Sequence, residues 1–224
     1  MFNSYYMHSF TEENYLKTIY HLSSTNSLVV STNQIAEITN TKAASVTDML
    51  KKLSEKKLIN YIRYQGVTLT ESGKNAALNI IRKHRLWEFF LVEKLGFKWD
   101  EVHDIAEELE HINSESLINR LDDFLGNPSA DPHGDPIPDR KGAIQQKKMI
   151  RISEMNQSEC GIISGVSEHS SIFLKLLEKL GLTLGTHVLV REKIEFDGSV
   201  IIQINEQNDQ SISRELAKNI LIML

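Results

Sequence analysis

The chain has 224 residues, of which 41% are hydrophobic and 25% charged, with a net charge of −5; that length allows one large domain or two smaller ones with cores of their own. No apolar run approaches the roughly 20 residues that span a bilayer, and the opening "MFNSYYMHSFTEEN" has neither the basic start nor the apolar core of a secretion signal. Cys160 is the only cysteine, which excludes an intrachain disulfide and a thiolate metal cluster, so the expectation is a cytoplasmic protein with no membrane partner.

The apolar spacing is helical over residues 11–24, 32–39, 42–56, 71–95 and 99–125, with one β-like interruption, "INYIRYQGVTLT", at 59–70. All four prolines lie in "GNPSADPHGDPIP", residues 126–138, which marks a boundary. Beyond it, "HVLVREKIEF" and "SVIIQI" read as strands around the turn signal Asp197-Gly198, and "SIFLKLLEKLGL" reads as one short helix, giving a small and mostly β domain.

A negative net charge argues against nucleic acid, but its distribution reverses that. Residues 40–85 hold ten Lys/Arg against Asp48, Glu55 and Glu71, a local excess of +7 in a chain of net −5, as expected of a phosphate-facing module attached to an acidic one. Within this region "STNQIAEITNTKAASVTDMLKKLSEKKLI" has a first helix with Ile35, Ala36 and Ile38 inward and a tight turn at Asn40-Thr41. A second helix follows with Val46, Met49, Leu50 and Leu53 inward. This is a helix-turn-helix pattern. Its second helix presents Lys42, Ala43, Ala44, Ser45, Thr47, Asp48, Lys51 and Lys52 outward, and Thr32 at the start of the first helix joins the candidate DNA-binding set: small residues admit the backbone, hydroxyls meet phosphates or base edges, and lysines meet phosphates. The next two strands, joined at Tyr64-Gln65-Gly66 with Arg63 and Tyr64 at the tip, form a wing. An ordinary helical hairpin with a solvated lysine face imitates the pattern; the wing and the local charge favour DNA.

"HDIAEELEH", residues 103–111, combines two histidines with a run of acids and contains no lysine or arginine. On a helix His103, Glu107, Glu110 and His111 fall within roughly a third of a turn, with Ile105, Leu109 and Ile112 opposite. The polar side is either a solvated face or a metal site, because carboxylates at i and i+3 with an imidazole at i+4 can converge on one cation and otherwise repel. His84 and Glu88, one turn apart, offer a second shared face. Glu108-x-x-His111 also has the spacing of a carboxylate-bridged di-metal enzyme, although a second such motif is missing. Trp87, Phe89, Phe90 and Leu91 read as core or dimer packing.

A winged helix-turn-helix followed by "IRKHRLWEFFL", "VHDIAEELEHINS" and "DPHGDPIP" resembles the metal-dependent repressors of the diphtheria toxin repressor and manganese transport regulator family, over nearly the whole chain from "TEENYLKTIYHL" onward. The resemblance implies a mainly α fold with a small β domain: a winged helix-turn-helix at 1–73, a helical metal-binding and dimerisation domain at 74–142 with a Pro-rich linker at 126–142, and an SH3-like β-barrel at 143–224. It implies a principal metal site from Asn14, Glu107, Glu110, His111 and, in the manganese branch, His84. A second site would draw on Glu88, His103, Asp131, His133 and the nearest C-terminal acid, Glu168, with His169 competing. Asn14 stands where the manganese branch has aspartate and the iron branch methionine, and Glu107 where the iron branch has cysteine. An all-oxygen-and-nitrogen donor set suits Mn²⁺, with Fe²⁺ as the alternative and Zn²⁺ or Co²⁺ as substitutes in vitro. The expected protein is not an enzyme but a homodimeric, metal-activated repressor of metal-uptake genes that binds a palindromic double-stranded DNA operator. A winged-helix regulator that senses an organic ligand is the rival.

Overall fold

The computed structural model describes residues 8–25, 29–63, 65–145, 147–207 and 209–224. Two compact units emerge, each assembled from separated stretches: 1–84, 107–121 and 138–143 form the first, and 85–106, 122–137 and 144–224 the second. No helix among the described residues is long and apolar enough to cross a membrane.

The first unit opens with α1 (Phe10–Thr25), started by a reciprocal cap in which the Ser9 amide donates to Glu12 Oε2 (2.8 Å) and the Glu12 amide to Ser9 Oγ (3.3 Å). Then come α2 (Thr32–Ile38), capped by Ser31 and Gln34 in the same way, and α3 (Ala43–Glu55). The turn between them relies on Asn40, a residue type that tolerates its φ of 47°. Leu16, Ile19, Ile35, Val46, Leu50, Leu53 and Val67 form the core, with Met49 half-buried against it. Ile38, expected inward, is 58% exposed: α2 makes only two turns, and Ile35, with half-buried Ala36 beside it, faces the core. The wing is the antiparallel hairpin β1 (Ile59–Ile62) and β2 (Gly66–Leu69), paired from Ile59↔Leu69 to Ile62↔Gly66. Gly66 has φ +113°, and a Cβ there would lie 2.7 Å from the Val30 carbonyl oxygen, so only glycine lets Val30 and Val67 bridge. Tyr64 lies outside the described residues.

Helix α4 (Glu71–Leu95) matches its expected bounds. The helix expected over 99–125 is two, α5 (His103–Leu109) and α6 (Glu115–Phe124), because Ser114 caps a fresh start with its Oγ on the Leu117 amide (3.4 Å). Glu110 and His111 therefore leave the helix in a turn.

In the second unit β3 (Ile150–Arg151), β4 (Cys160–Val166), β5 (His187–Lys193), β6 (Val200–Ile204), β7 (Asp209–Ile212) and β8 (Ile220–Met223) pair antiparallel in the order β3-β8-β4-β5-β6-β7. With α7 (Ser171–Leu180) and α8 (Arg214–Asn219) they enclose a core of Ile152, Met155, Ile163, Leu174, Leu177, Val190, Ile202 and Ile222, against which Trp99 packs. Only β5, β6 and α7 were legible beforehand. The proline-rich stretch is seated in this unit: the Val166 amide donates to the His133 carbonyl (3.0 Å), and the Asp131 carboxylate accepts the amides of His133 (2.8 Å) and Asp135 (3.0 Å). Gly134 has φ +89°, and a Cβ there would meet the Ser164 carbonyl oxygen at 2.1 Å.

Candidate metal centres and nucleic-acid surface

In the first unit, α1 contributes Glu13 and Lys17, α4 contributes Lys83 and His84, and the end of α5 with its following turn contributes Glu107, Glu110 and His111. His84 Nδ1 donates to Glu110 Oε2 and His111 Nδ1 to Glu13 Oε2, both at 2.6 Å, and His111 Nε2 lies 4.0 Å from Glu110 Oε1. Phe10 stacks on the His111 ring at 4.4 Å. The Glu110 side chain is fully buried, and Lys17 Nζ sits across its carboxylate at 2.7 and 2.8 Å and reaches Glu107 at 3.4 Å. Burial alone would raise the Glu110 carboxyl; the His84 hydrogen bond and Lys17 outweigh it and hold it below the usual carboxylate range. Burial lowers Lys83, against the attraction of Glu13 and Glu110.

The cluster thus gathers four expected residues, His84, Glu107, Glu110 and His111, and omits the fifth. Asn14 is exposed, and Glu13 takes the inward position. Helical phase explains the difference: Glu13 lies about 60° around α1 from buried Leu16, and Asn14 about 160°. Glu13 and Lys17 escaped the sequence reading, although their i, i+4 spacing beside an apolar stripe was visible. Carboxylates and imidazoles, with no sulfur donor beside them among the described residues, fit a hard or borderline divalent cation.

The second unit holds another cluster. Glu88 from α4 and Asp131 and His133 from the proline-rich stretch are all buried, with donor atoms within 4.8 Å of one another. His133 Nδ1 is 3.6 Å from Glu88 Oε2, and half-exposed His103 places Nδ1 3.5 Å from Glu88 Oε1. His133 Nε2 donates to the Trp99 carbonyl (2.8 Å), which orients Nδ1 toward the carboxylates as an outer partner of a ligating imidazole does. Arg85 braces the seat: its guanidinium lies 3.5 Å from Asp131 and 3.0 Å from Asp135, and donates to the Pro136 carbonyl at 2.5 Å. Asp131 is raised to about 7 by burial and then by Asp135 and Glu88, against Arg85 and His133. Burial acts to lower His133, yet Glu88 and Asp131 prevail and raise it to about 9. Glu168 does not join: it is exposed and accepts the Ser170 amide (2.8 Å) at the start of α7, which holds it below the carboxylate range. His169 does approach, its ring 5.0 Å from that of His133. An acid needed to stabilise a helix start is occupied there, whereas the adjacent imidazole faces the cluster.

Lys42, which precedes α3, and Ala44, Ser45, Asp48, Lys51 and Lys52 on it are exposed, as is Arg63 on the wing. Thr32 and Thr47 are half-buried, and the Thr47 hydroxyl donates back to the Ala43 carbonyl (2.9 Å). Lys51 pairs with Asp48 at 3.1 Å. Lys52 and Lys56 both reach Glu12 Oε1, at 3.2 and 2.7 Å. Glu12 is 1% exposed; burial would raise its carboxyl, but Lys56, the Ser9 amide and Lys52 hold it at about 2.

Three family models match in chain order: the N-terminal DNA binding domain of the iron dependent repressors at residues 7–67, their metal binding and dimerisation domain at 70–139, and the FeoA domain at 150–224. The iron-dependent repressor IdeR of Mycobacterium leprae is 29% identical over 218 residues, covering 92% of this chain and 94% of that one. A manganese-dependent transcriptional repressor solved in complex with manganese is 34% identical, superposes with a TM-score of 0.84, and covers 94% of this chain and 98% of its own. ScaR with bound Cd²⁺ is 30% identical with a TM-score of 0.78, covering 95% and 98%. The chain belongs to the diphtheria toxin repressor family of metal-dependent transcriptional repressors. Its DNA-binding domain, its metal-binding and dimerisation domain and its SH3-like FeoA domain are those of a divalent-metal-dependent regulator, and the family consists of repressors rather than enzymes.

Proposed function

We propose that this protein is a manganese-activated repressor of metal-uptake genes, a cytoplasmic homodimer on a palindromic operator, divided into DNA-binding (1–73), metal-binding and dimerisation (74–142) and SH3-like (143–224) parts. The observation that carries the choice of ion is the donor set: the candidate ligands of both clusters are carboxylates and imidazoles, and the only thiol, Cys160, is exposed on β4. In the first cluster Glu107, Glu110, His111 and His84 would hold the ion, with Glu13 in the place proposed for Asn14; in the second, Glu88, Asp131, His133 and His103 would do so. Bound, the ion supplies a fixed double positive charge that draws these donors together. Successive residues of α1 then do the coupling: Glu13 meets the turn after α5 through His111, while Glu12 holds α3 through Lys52 and Lys56. Fixing one fixes the other, and affinity for DNA rises only insofar as metal prefers that conformer. Lys42, Lys51, Lys52, Arg63 and Tyr64 would meet phosphates, and Thr32, Ala44, Ser45, Thr47 and Asp48 would set sequence preference.

An iron-responsive reading is favoured by the name of the M. leprae relative, and Fe²⁺ binds such donors at least as tightly as Mn²⁺ by the Irving–Williams order. Equilibrium dialysis against each ion, with gel-shift assays at matched free metal, separates the two. Metal should strengthen operator binding by roughly 5- to 150-fold, and Glu110→Ala or His111→Ala should abolish that gain. Full metal-dependent binding in both variants would remove the first cluster from the mechanism.

A further inference from the structure

The acids of 103–111 lack a basic neighbour in sequence, yet a cation stands on them. Lys17 arrives from α1, 93 positions away from Glu110, and its ammonium spans both oxygens of that carboxylate at 2.7 and 2.8 Å. The same ammonium is 3.4 Å from Glu107, so it bridges two of the acids that a divalent ion would have to share. Glu110 is fully buried and Lys17 is 14% exposed, so water screens the pair weakly and the amine still has a path to solvent. Lys83, 4% exposed, adds a second positive charge that attracts Glu13 and Glu110.

We propose that Lys17 is a tethered counter-cation that competes with the divalent ion for Glu110 and Glu107, and thereby sets the metal concentration at which the first site fills. This rests on the reading of Glu110 as a ligand. Glu13, Glu107 and Glu110 carry three negative charges against two from Lys17 and Lys83; an added divalent ion overcompensates them unless Lys17 withdraws. Its four-carbon stem permits that withdrawal without movement of α1. A charge at this distance shifts the occupancy of a carboxylate by a neighbouring cation by about one to three powers of ten, as it does for a proton. The ammonium therefore acts as a threshold: with metal scarce it brings the site within one charge of balance, and metal enters by displacing it.

Mn²⁺ affinity measured on the full chain by competition with a fluorescent chelator tests this, in a Glu88→Gln background that isolates the first site. Lys17→Met and Lys17→Gln should each bind Mn²⁺ at least roughly tenfold more tightly, and Lys17→Arg, which keeps the charge, should stay within about threefold of the parent. Unchanged or weaker binding in both neutral variants, with binding lost in Glu110→Gln, overturns the competition but leaves the site. Unchanged binding in Glu110→Gln overturns the site and the proposal together. A second readout needs no variant: acylation of Lys17 Nζ, followed by mass spectrometry, should rise severalfold when Mn²⁺ is added to the wild-type chain. Constant labelling with Mn²⁺ bound would also sink the idea.

Discussion

The two clusters meet the same electrostatic problem, carboxylates crowded out of water, by different means. In the first unit, lysines from elsewhere in the fold sit on the acids: Lys17 on Glu110, and Lys52 and Lys56 on Glu12, both of which are held below the carboxylate range. The second unit crowds Glu88, Asp131 and Asp135 around one arginine, and protons supply the rest, with Asp131 raised to about 7 and His133 to about 9. A lysine-balanced cluster is part of the folded state's stability before any metal arrives. A proton-balanced one is under charge strain until a cation relieves it. Neutralising an acid should therefore cost much in the first place and little in the second.

The largest effect belongs to Glu110→Gln, which leaves the Lys17 and Lys83 ammonium groups short of their buried partner. Urea unfolding of the metal-free protein should show a loss of about 3 kcal/mol, the range for breaking one side of a buried pair. Viewed as a run of mutually repelling carboxylates, the 103–111 stretch suggests the reverse, that deleting an acid is harmless. A loss below about 1 kcal/mol would mean that the lysines do not balance this cluster.

Glu12→Gln should cost less, about 1–2 kcal/mol at neutral pH, because Lys52 is half exposed. Its pH dependence fixes the sign. The carboxyl falls from 4.5 to about 2 on folding, so its contribution is complete above 4.5 and disappears as the pH falls toward 2. Wild type and variant should therefore differ at pH 7 and converge between pH 4.5 and 2. A constant difference across that window would show that the ion pairs are not its source.

Asp131→Asn should do little at pH 7, within about 1 kcal/mol in metal-free protein, because the amide oxygen can still accept the His133 and Asp135 amides while one of the crowded charges goes. Folding raises this carboxyl from 3.8 to about 7, so wild type loses stability as the pH climbs from 3.8 through 7, and the variant should lose less. A penalty comparable to that of Glu110→Gln would erase the contrast between the clusters.

These contrasts also mark what the sequence could convey. Helical periodicity located α1 to α4 and the helix-turn-helix, since an amphipathic face is a local property of the chain. The split between α5 and α6 hinged on the capping Ser114, and β3, β4, β7 and β8 were missed because "CGIISGV" carries two glycines, "DQSI" lacks apolar alternation, and "ILIM" follows α8 without a break. In the clusters, His84, Glu107, Glu110 and His111 were legible through the family's motifs, but their partners were not. Lys17 and Glu110 are 93 positions apart, and His133 depends on the Trp99 carbonyl, a backbone group that no side-chain pattern reports. Asn14 and Glu168 each sit one residue from the side chain that faces its cluster, Glu13 and His169; on α1 one residue is a rotation of about 100°, and Glu168 and His169 lie outside any helix, just before α7, where no periodicity fixes direction.

The smallest expected effect on stability separates two adjacent lysines on α3. Lys51 pairs only locally, with Asp48 at 3.1 Å and both side chains well exposed, so Lys51→Ala should leave the unfolding free energy within about 0.5 kcal/mol. Lys52 also touches buried Glu12 at 3.2 Å, so Lys52→Ala should cost more, though less than Glu12→Gln, since Lys56 remains at 2.7 Å. On DNA, under the proposed function, the two should look alike: each removes about one phosphate contact, weakens binding to any sequence and flattens the salt dependence by about one unit. Gel-shift titrations over a range of salt, set beside urea unfolding of the same two variants, make the comparison. If Lys51→Ala destabilised the fold as much as Lys52→Ala, the Glu12 pair would not be what distinguishes them, and the link from α1 to the DNA-facing helix would have to run through apolar packing instead.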